Sequence, residues 1–193
     1  MKRKNIFLVL LLILSMFLLS ACGGSETEVV DDSENKVEES AEAESTAQNT
    51  LFGKFYSQTL DGENVTEEIF AQADLTMVNI WGTFCGPCIQ EMPDLGELGR
   101  EYEGTGFQIV GIITDVNKAN DETAMQIVDE TQADYTHIIN SLDLQNNVLQ
   151  YVSAVPTTVF IDREGNLVGD VYSGSRDKEA WGLIIEELLS EVQ

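Results

Sequence analysis

VNIWGTFCGPCIQEMP, residues Val78 to Pro93, runs from an apolar β-type segment through a glycine-bearing loop into a helical pattern, with Cys85 and Cys88 at the junction. Two intervening residues at a helix start bring two sulfurs within bonding reach. The unpaired N–H groups and positive dipole end of the helix also stabilise a thiolate there. The residue at the helix start is the more exposed, so Cys85 is the expected nucleophile. Cys88, one turn in and sheltered against the sheet, is the expected resolving thiol that releases a mixed disulfide. Pro87 suits the first helical turn, where its missing N–H has no partner to lose.

Outward from this junction, strand and helix signals alternate. Leu75 to Trp81 and Phe107 to Thr114 are apolar runs of strand length, of the kind buried on both faces of a sheet. Between them Cys88 to Glu103 reads as helix. Phe55 to Leu60 reads as a short strand and Thr66 to Ala71 as one or two helical turns. Asp121 to Thr131 has helical spacing with Met125 and Val128 on one side, and Tyr135 to Ile139 is a short strand. Leu144, Val148, Tyr151 and Val152 suit a further helix. Thr157 to Ile161 turns at Asp162 to Gly165 and returns over Asn166 to Tyr172 as a hairpin. Trp181, Ile184, Ile185, Leu188 and Leu189 trace one apolar stripe on a terminal helix. This order predicts an α/β domain with a mixed sheet covered by helices on both faces.

The chain has 193 residues, with 34 acidic against 10 basic and a formal charge of -24. That charge excludes a nucleic-acid or anionic-membrane surface, since both partners attract Lys and Arg. Residues 1–21 read as a signal peptide: Lys2, Arg3 and Lys4 precede an apolar run from Ile6 to Leu19, too short to span a bilayer. Leu19-Ser20-Ala21-Cys22-Gly23 resembles the lipobox of bacterial lipoproteins, which implies a lipid on Cys22 as membrane anchor. From Gly23 to Thr50 nine acids stand against Lys36 alone, with no aromatic residue. Residues 22–50 therefore read as a lipidated cysteine and a disordered acidic tether, and residues 51–193 as the folded domain.

Other uses of the cysteines fit poorly. A zinc site needs four ligands, and beyond Cys22 the chain offers Cys85, Cys88 and the lone His137. A purely structural disulfide across so short a loop constrains little of the unfolded chain. Copper carried by the two thiolates with His137 stays open as an alternative. A peroxiredoxin-type peroxidase needs Pro-x-x-x-Thr/Ser-x-x-Cys, which Cys85 lacks. Neither a metal nor an organic cofactor is expected.

Together with Val155-Pro156-Thr157 before a β-rich run and IDREGNL from Ile161 to Leu167, the opening stretch resembles membrane-anchored thioredoxin-like reductases of the ResA/TlpA type. The resemblance covers nearly all of Leu51 to Gln193. It implies a thioredoxin fold with an extra strand–helix element over the Asp121 to Ile139 region. Pro156 then matches the cis-proline facing the cysteine pair, with Val155 offering its backbone to an extended substrate segment. Glu91 matches an active-site carboxylate that manages protons during exchange, and Pro93 a proline that kinks the helix. The sequence also departs from thioredoxin, whose buried Asp and neighbouring Lys are here Asn79 and Gly111. Phe84 replaces the usual Trp before the first cysteine, while Trp81 is retained, so a stacking surface for substrate is expected from both.

The implied function is reduction of disulfides in exported proteins at the outer face of the bacterial cell membrane. Such substrates include the haem-site cysteines of apocytochrome c. Electrons would come from an integral-membrane thiol donor of the DsbD/CcdA kind. The Gly86-Pro87 dipeptide is that of thioredoxin, at about -270 mV, whereas the oxidant DsbA lies at about -120 mV. A disulfide oxidant of the same fold is the alternative direction.

Overall fold

The computed structural model describes residues 50–193. The signal run, Cys22 and most of the acidic stretch lie outside the described residues. Among the described residues no helix is long and apolar enough to cross a membrane.

Two apolar strands set the centre. β3 (Leu75–Trp81) is buried along its whole length, and β4 (Phe107–Ile113) pairs with it in parallel from Leu75↔Phe107 to Trp81↔Ile113. The remaining elements are β1 (Tyr56–Gln58), β2 (Asn64–Thr66), a 3₁₀ turn over Glu67–Gln72, α1 (Gly86–Glu101), α2 (Glu122–Thr131), β5 (Thr136–Ile139), α3 (Leu142–Asn147), β6 (Thr157–Asp162), β7 (Leu167–Ser173) and α4 (Lys178–Val192). The five-stranded sheet has the order β5-β4-β3-β6-β7. β5 adds parallel to β4, while β6 runs antiparallel to β3 and closes as a hairpin with β7. The β1–β2 hairpin caps the β5 edge through a Thr59↔Ile138 bridge and the Leu60 N–H donating to the His137 carbonyl at 2.7 Å. Covering that edge removes a template for unwanted strand pairing.

Successive side chains of a strand point to opposite faces. On one face Leu75 and Met77 meet Leu95 and Leu98 of α1 and Trp181, Ile185 and Leu188 of α4. On the other, Val78, Ile80, Val110, Ile112 and Val159 are covered by Phe52, Phe70, Leu144 and Leu149. The sheet therefore carries helical cover on both faces, as expected.

α2 packs so near α1 that a Cβ on Gly96 would lie 2.3 Å from the Gln132 carbonyl oxygen. Its inward stripe is Ala124, Ile127, Val128 and Thr131, and Met125 is exposed, contrary to expectation. The small Ala124 takes the contact position. The helix expected through Tyr151 also ends early. Val148 leaves the helical region (φ -136, ψ -45), a 3₁₀ turn follows over Leu149–Tyr151, Leu149 takes the core position and Tyr151 is exposed. α1 continues past Pro93 to Glu101 as one helix.

Candidate active site

β3 ends at Trp81, and the loop to α1 is held by Asp115, which follows β4. Asp115 accepts from the Thr83 N–H at 3.0 Å and the Thr83 hydroxyl at 2.5 Å. The Cys85 N–H donates to the Gly82 carbonyl, and Cys85 becomes the N-cap of α1 in extended conformation. Its Sγ accepts from the Cys88 N–H at 3.2 Å. Cys85 and Cys88 are joined as a disulfide, with their Cα atoms 5.3 Å apart. Cys85 is 5% exposed and Cys88 fully enclosed, so an incoming sulfur reaches only the first. The Val155–Pro156 bond is cis, and the Val155 carbonyl oxygen lies 3.5 Å from Cys85 Sγ. Phe84 is 72% exposed immediately before the pair.

Cys88, Glu91, Met92 and Leu95 form the buried face of α1, which puts Glu91 one turn beyond Cys88 on the same side. The Glu91 carboxyl is 2% exposed, yet fully engaged. Oε1 accepts from Asn79 Nδ2 at 3.0 Å. Oε2 accepts from the Arg176 N–H at 3.1 Å and from Trp181 Nε1 at 3.4 Å. Burial pushes this carboxyl above its ordinary value of 4.5, outweighing those donors and the Arg176 charge. The Arg176 guanidinium stacks over Tyr172 and Trp181, 5.0 and 4.9 Å from their ring centres.

Trp81 is not part of a substrate surface. It is fully buried, because residues 75, 77, 79 and 81 alternate onto the side of β3 that α1 covers, and its Nε1 donates to His137 Nδ1 at 3.2 Å. The other imidazole nitrogen, Nε2, faces the Ala133 carbonyl at 2.9 Å. Both ring nitrogens are thus committed to the neutral tautomer. Burial lowers His137 to about 4. The third ligand of the copper reading is therefore already occupied by protein partners.

Sequence reasoning passed over Thr158, Arg176 and Trp181 as parts of the Glu91 pocket. A signal existed for one of their partners: Asn79 interrupts an apolar run buried on both faces, and a buried amide there requires partners.

A cysteine pair capping the first helix after a central strand, facing a cis-proline on a mixed sheet, defines the class of thiol-disulfide oxidoreductases with a thioredoxin-like fold. Comparison with known proteins agrees. The Redoxin family model matches residues 35–180, and the chain belongs to that family. It is 27% identical over 143 residues to the thiol-disulfide oxidoreductase ResA of Halalkalibacterium halodurans, covering 72% of this chain and 73% of that protein. The thioredoxin-like protein YneN of Bacillus subtilis is 27% identical over 127 residues, covering 65% and 71%. Among solved structures, a thiol:disulfide interchange protein of Chlorobium tepidum superposes with a TM-score of 0.60 at 24% identity, over 70% of this chain and 93% of that one. StoA of Bacillus subtilis does so with a TM-score of 0.55 at 17% identity, over 68% and 96%. These superpositions speak to the fold.

Proposed function

We propose that this chain is a lipid-anchored protein-disulfide reductase working outside the cytoplasmic membrane by exchange at Cys85 and Cys88. The observation that carries the exchange is Cys85 Sγ as the cap of α1, 3.2 Å from the Cys88 N–H and 3.5 Å from the Val155 carbonyl oxygen. In the reduced protein the same helix end stabilises a Cys85 thiolate. That thiolate attacks one sulfur of a substrate disulfide, and the other sulfur leaves as a thiolate that takes a proton from water. Cys88 then gives its proton to the Glu91 carboxylate, and the Cys88 thiolate attacks Cys85 Sγ. The second substrate sulfur leaves and is protonated in turn. Two electrons have passed to the substrate, and the protein holds the Cys85–Cys88 disulfide. An integral-membrane thiol carrier of the DsbD/CcdA kind suits the return of two electrons.

Val155, whose carbonyl oxygen lies 3.5 Å from Cys85 Sγ, and the adjoining Pro156 suit an extended substrate segment, and the exposed Phe84 ring offers apolar contact. The thioredoxin dipeptide Gly86-Pro87 favours the reducing direction. The lipobox-like Leu19 to Gly23 and the acidic stretch after it favour tethering through Cys22 at the outer membrane face.

Expression of Cys88→Ala in a bacterial host tests the reading. Mixed disulfides at Cys85 with exported proteins, released by dithiothreitol and absent from Cys85→Ala/Cys88→Ala, are expected. A folded Cys88→Ala protein that captures none overturns it.

A further inference from the structure

Glu91 Oε2 has two partners, the Arg176 N–H and the Trp181 indole N–H, and both can only donate. A proton arriving at this carboxyl therefore settles on Oε1, where the facing group is Asn79 Nδ2, also a donor. The same Nδ2 donates to Thr158 Oγ1 at 3.1 Å, while Asn79 Oδ1 is buried without a partner among the described residues. An amide with its donor end used twice and its acceptor end unused matches one protonation state of its neighbour. Turning it by a half-rotation exchanges the two ends. Oδ1 then accepts from a protonated Oε1 and from the Thr158 hydroxyl, a group that serves as acceptor or donor equally well.

The strand register isolates this amide. Asn79 lies opposite Thr158 on β6 and opposite Gly111 on β4, and Gly111 offers no side chain. Among the described residues, the titratable and charged groups that act on Glu91 are few. Cys88 on α1 is held in the disulfide, Arg176 ahead of α4 is a fixed cation, and Tyr135 ahead of β5 is kept protonated by burial, with the Glu91 charge adding to it. Glu91 is the group free to change state.

We propose that Asn79, backed by Thr158, is a reversible amide that serves both protonation states of Glu91 during exchange. It donates to the carboxylate, then turns over and accepts from the acid once the Cys88 proton has arrived. The inference rests on reading Glu91 as the acceptor of that proton. The proton leaves Cys88 Sγ and binds Glu91 Oε1; at Asn79 only hydrogen bonds change, and no electrons move. Asn79 touches no reacting sulfur and is a positioning residue. An aspartate at 79, as in thioredoxin, has no N–H to offer the carboxylate.

The test is nuclear magnetic resonance on the intact, isotopically labelled chain in its oxidised form, where the cysteines do not titrate. Glu91 13Cδ reports protonation, and nuclear Overhauser contacts from the Asn79 Nδ2 protons to the Thr158 methyl report the amide orientation. These contacts are expected above the Glu91 midpoint and lost below it, with the same midpoint. Glu91→Gln, whose amide N–H stands for the acid O–H, is expected to lack them at every pH. Contacts that persist through the Glu91 titration, or that Glu91→Gln retains, make Asn79 a fixed donor and overturn the proposal. These readings require no thiol exchange. A static amide in a protein that cycles overturns this inference alone, and a turning amide in a protein that fails to cycle overturns the functional reading alone.

Discussion

Glu91 and His137 are buried alike, at 2% and 4% exposure, and burial drives each toward its neutral form, the carboxyl upward and the imidazole down to about 4. Their partners differ. His137 takes a donor at Nδ1 and faces a carbonyl at Nε2, a set that fits only the neutral ring, since a second proton collides with the Trp81 indole N–H. Glu91 Oε1 faces an amide that carries both a donor and an acceptor. His137 is thus a structural post, and Glu91 is suited to the proton handling proposed for it. The neighbours' hydrogen-bonding range separates the two.

Acid exposes the contrast most strongly. The folded value of His137 lies below its ordinary 6.5, so the stability it contributes is present above pH 6.5 and lost as pH falls to about 4, a loss of about 3 kcal/mol. Glu91 has the opposite sign: its raised folded value means stability is greatest below 4.5 and declines as pH rises through that value. Urea unfolding of the wild type and His137→Gln from pH 4 to 8 checks both, and the acid loss should be confined to the wild type. An equal loss in His137→Gln breaks the distinction.

Kinetics give the next largest effect. Glu91→Gln should slow attack of Cys88 on a mixed disulfide at Cys85 by about a hundredfold near neutral pH and flatten its pH dependence. It should also raise stability at pH 7, with no gain below 4.5, because an uncharged amide carries less desolvation cost. Stopped-flow release of an aromatic thiolate from Cys85 measures the rate, and His137→Gln should leave it unchanged. The smallest effect belongs to Arg176→Leu, which keeps the backbone donor to Glu91 Oε2 but removes the cation stacked on Tyr172 and Trp181. Stability should fall by about 1 kcal/mol, and the Glu91 midpoint should move up. A midpoint that stays or falls contradicts the arrangement of charges around the carboxyl.

What was legible in the sequence was local. β3, the cysteine pair and the start of α1 are adjacent in the chain, so the apolar run, the Gly-Pro dipeptide and the helix-start chemistry read out within a few residues. The hairpin of β6 and β7 and the stripe of α4 were equally local. The Glu91 pocket was not, because it is closed by partners 12, 85 and 90 residues away in the chain. Position 91 itself came from family resemblance. The resemblance, in which Trp81 is the retained tryptophan, implies a substrate surface there, but the two-residue period from Leu75 points it inward. Phe84, past the end of β3, escapes that period and remains exposed.

Equilibration of the reduced and oxidised protein against dithiothreitol and glutathione buffers, with thiols counted by mass spectrometry after alkylation, reads the exchange at Cys85 and Cys88 itself. A reversible two-electron transition confined to Cys85 and Cys88 is expected, with a midpoint near that of thioredoxin, about -270 mV. A midpoint above about -150 mV would reverse the direction of electron flow, and a pair that cannot be cycled between dithiol and disulfide would contradict the assignment of this site altogether.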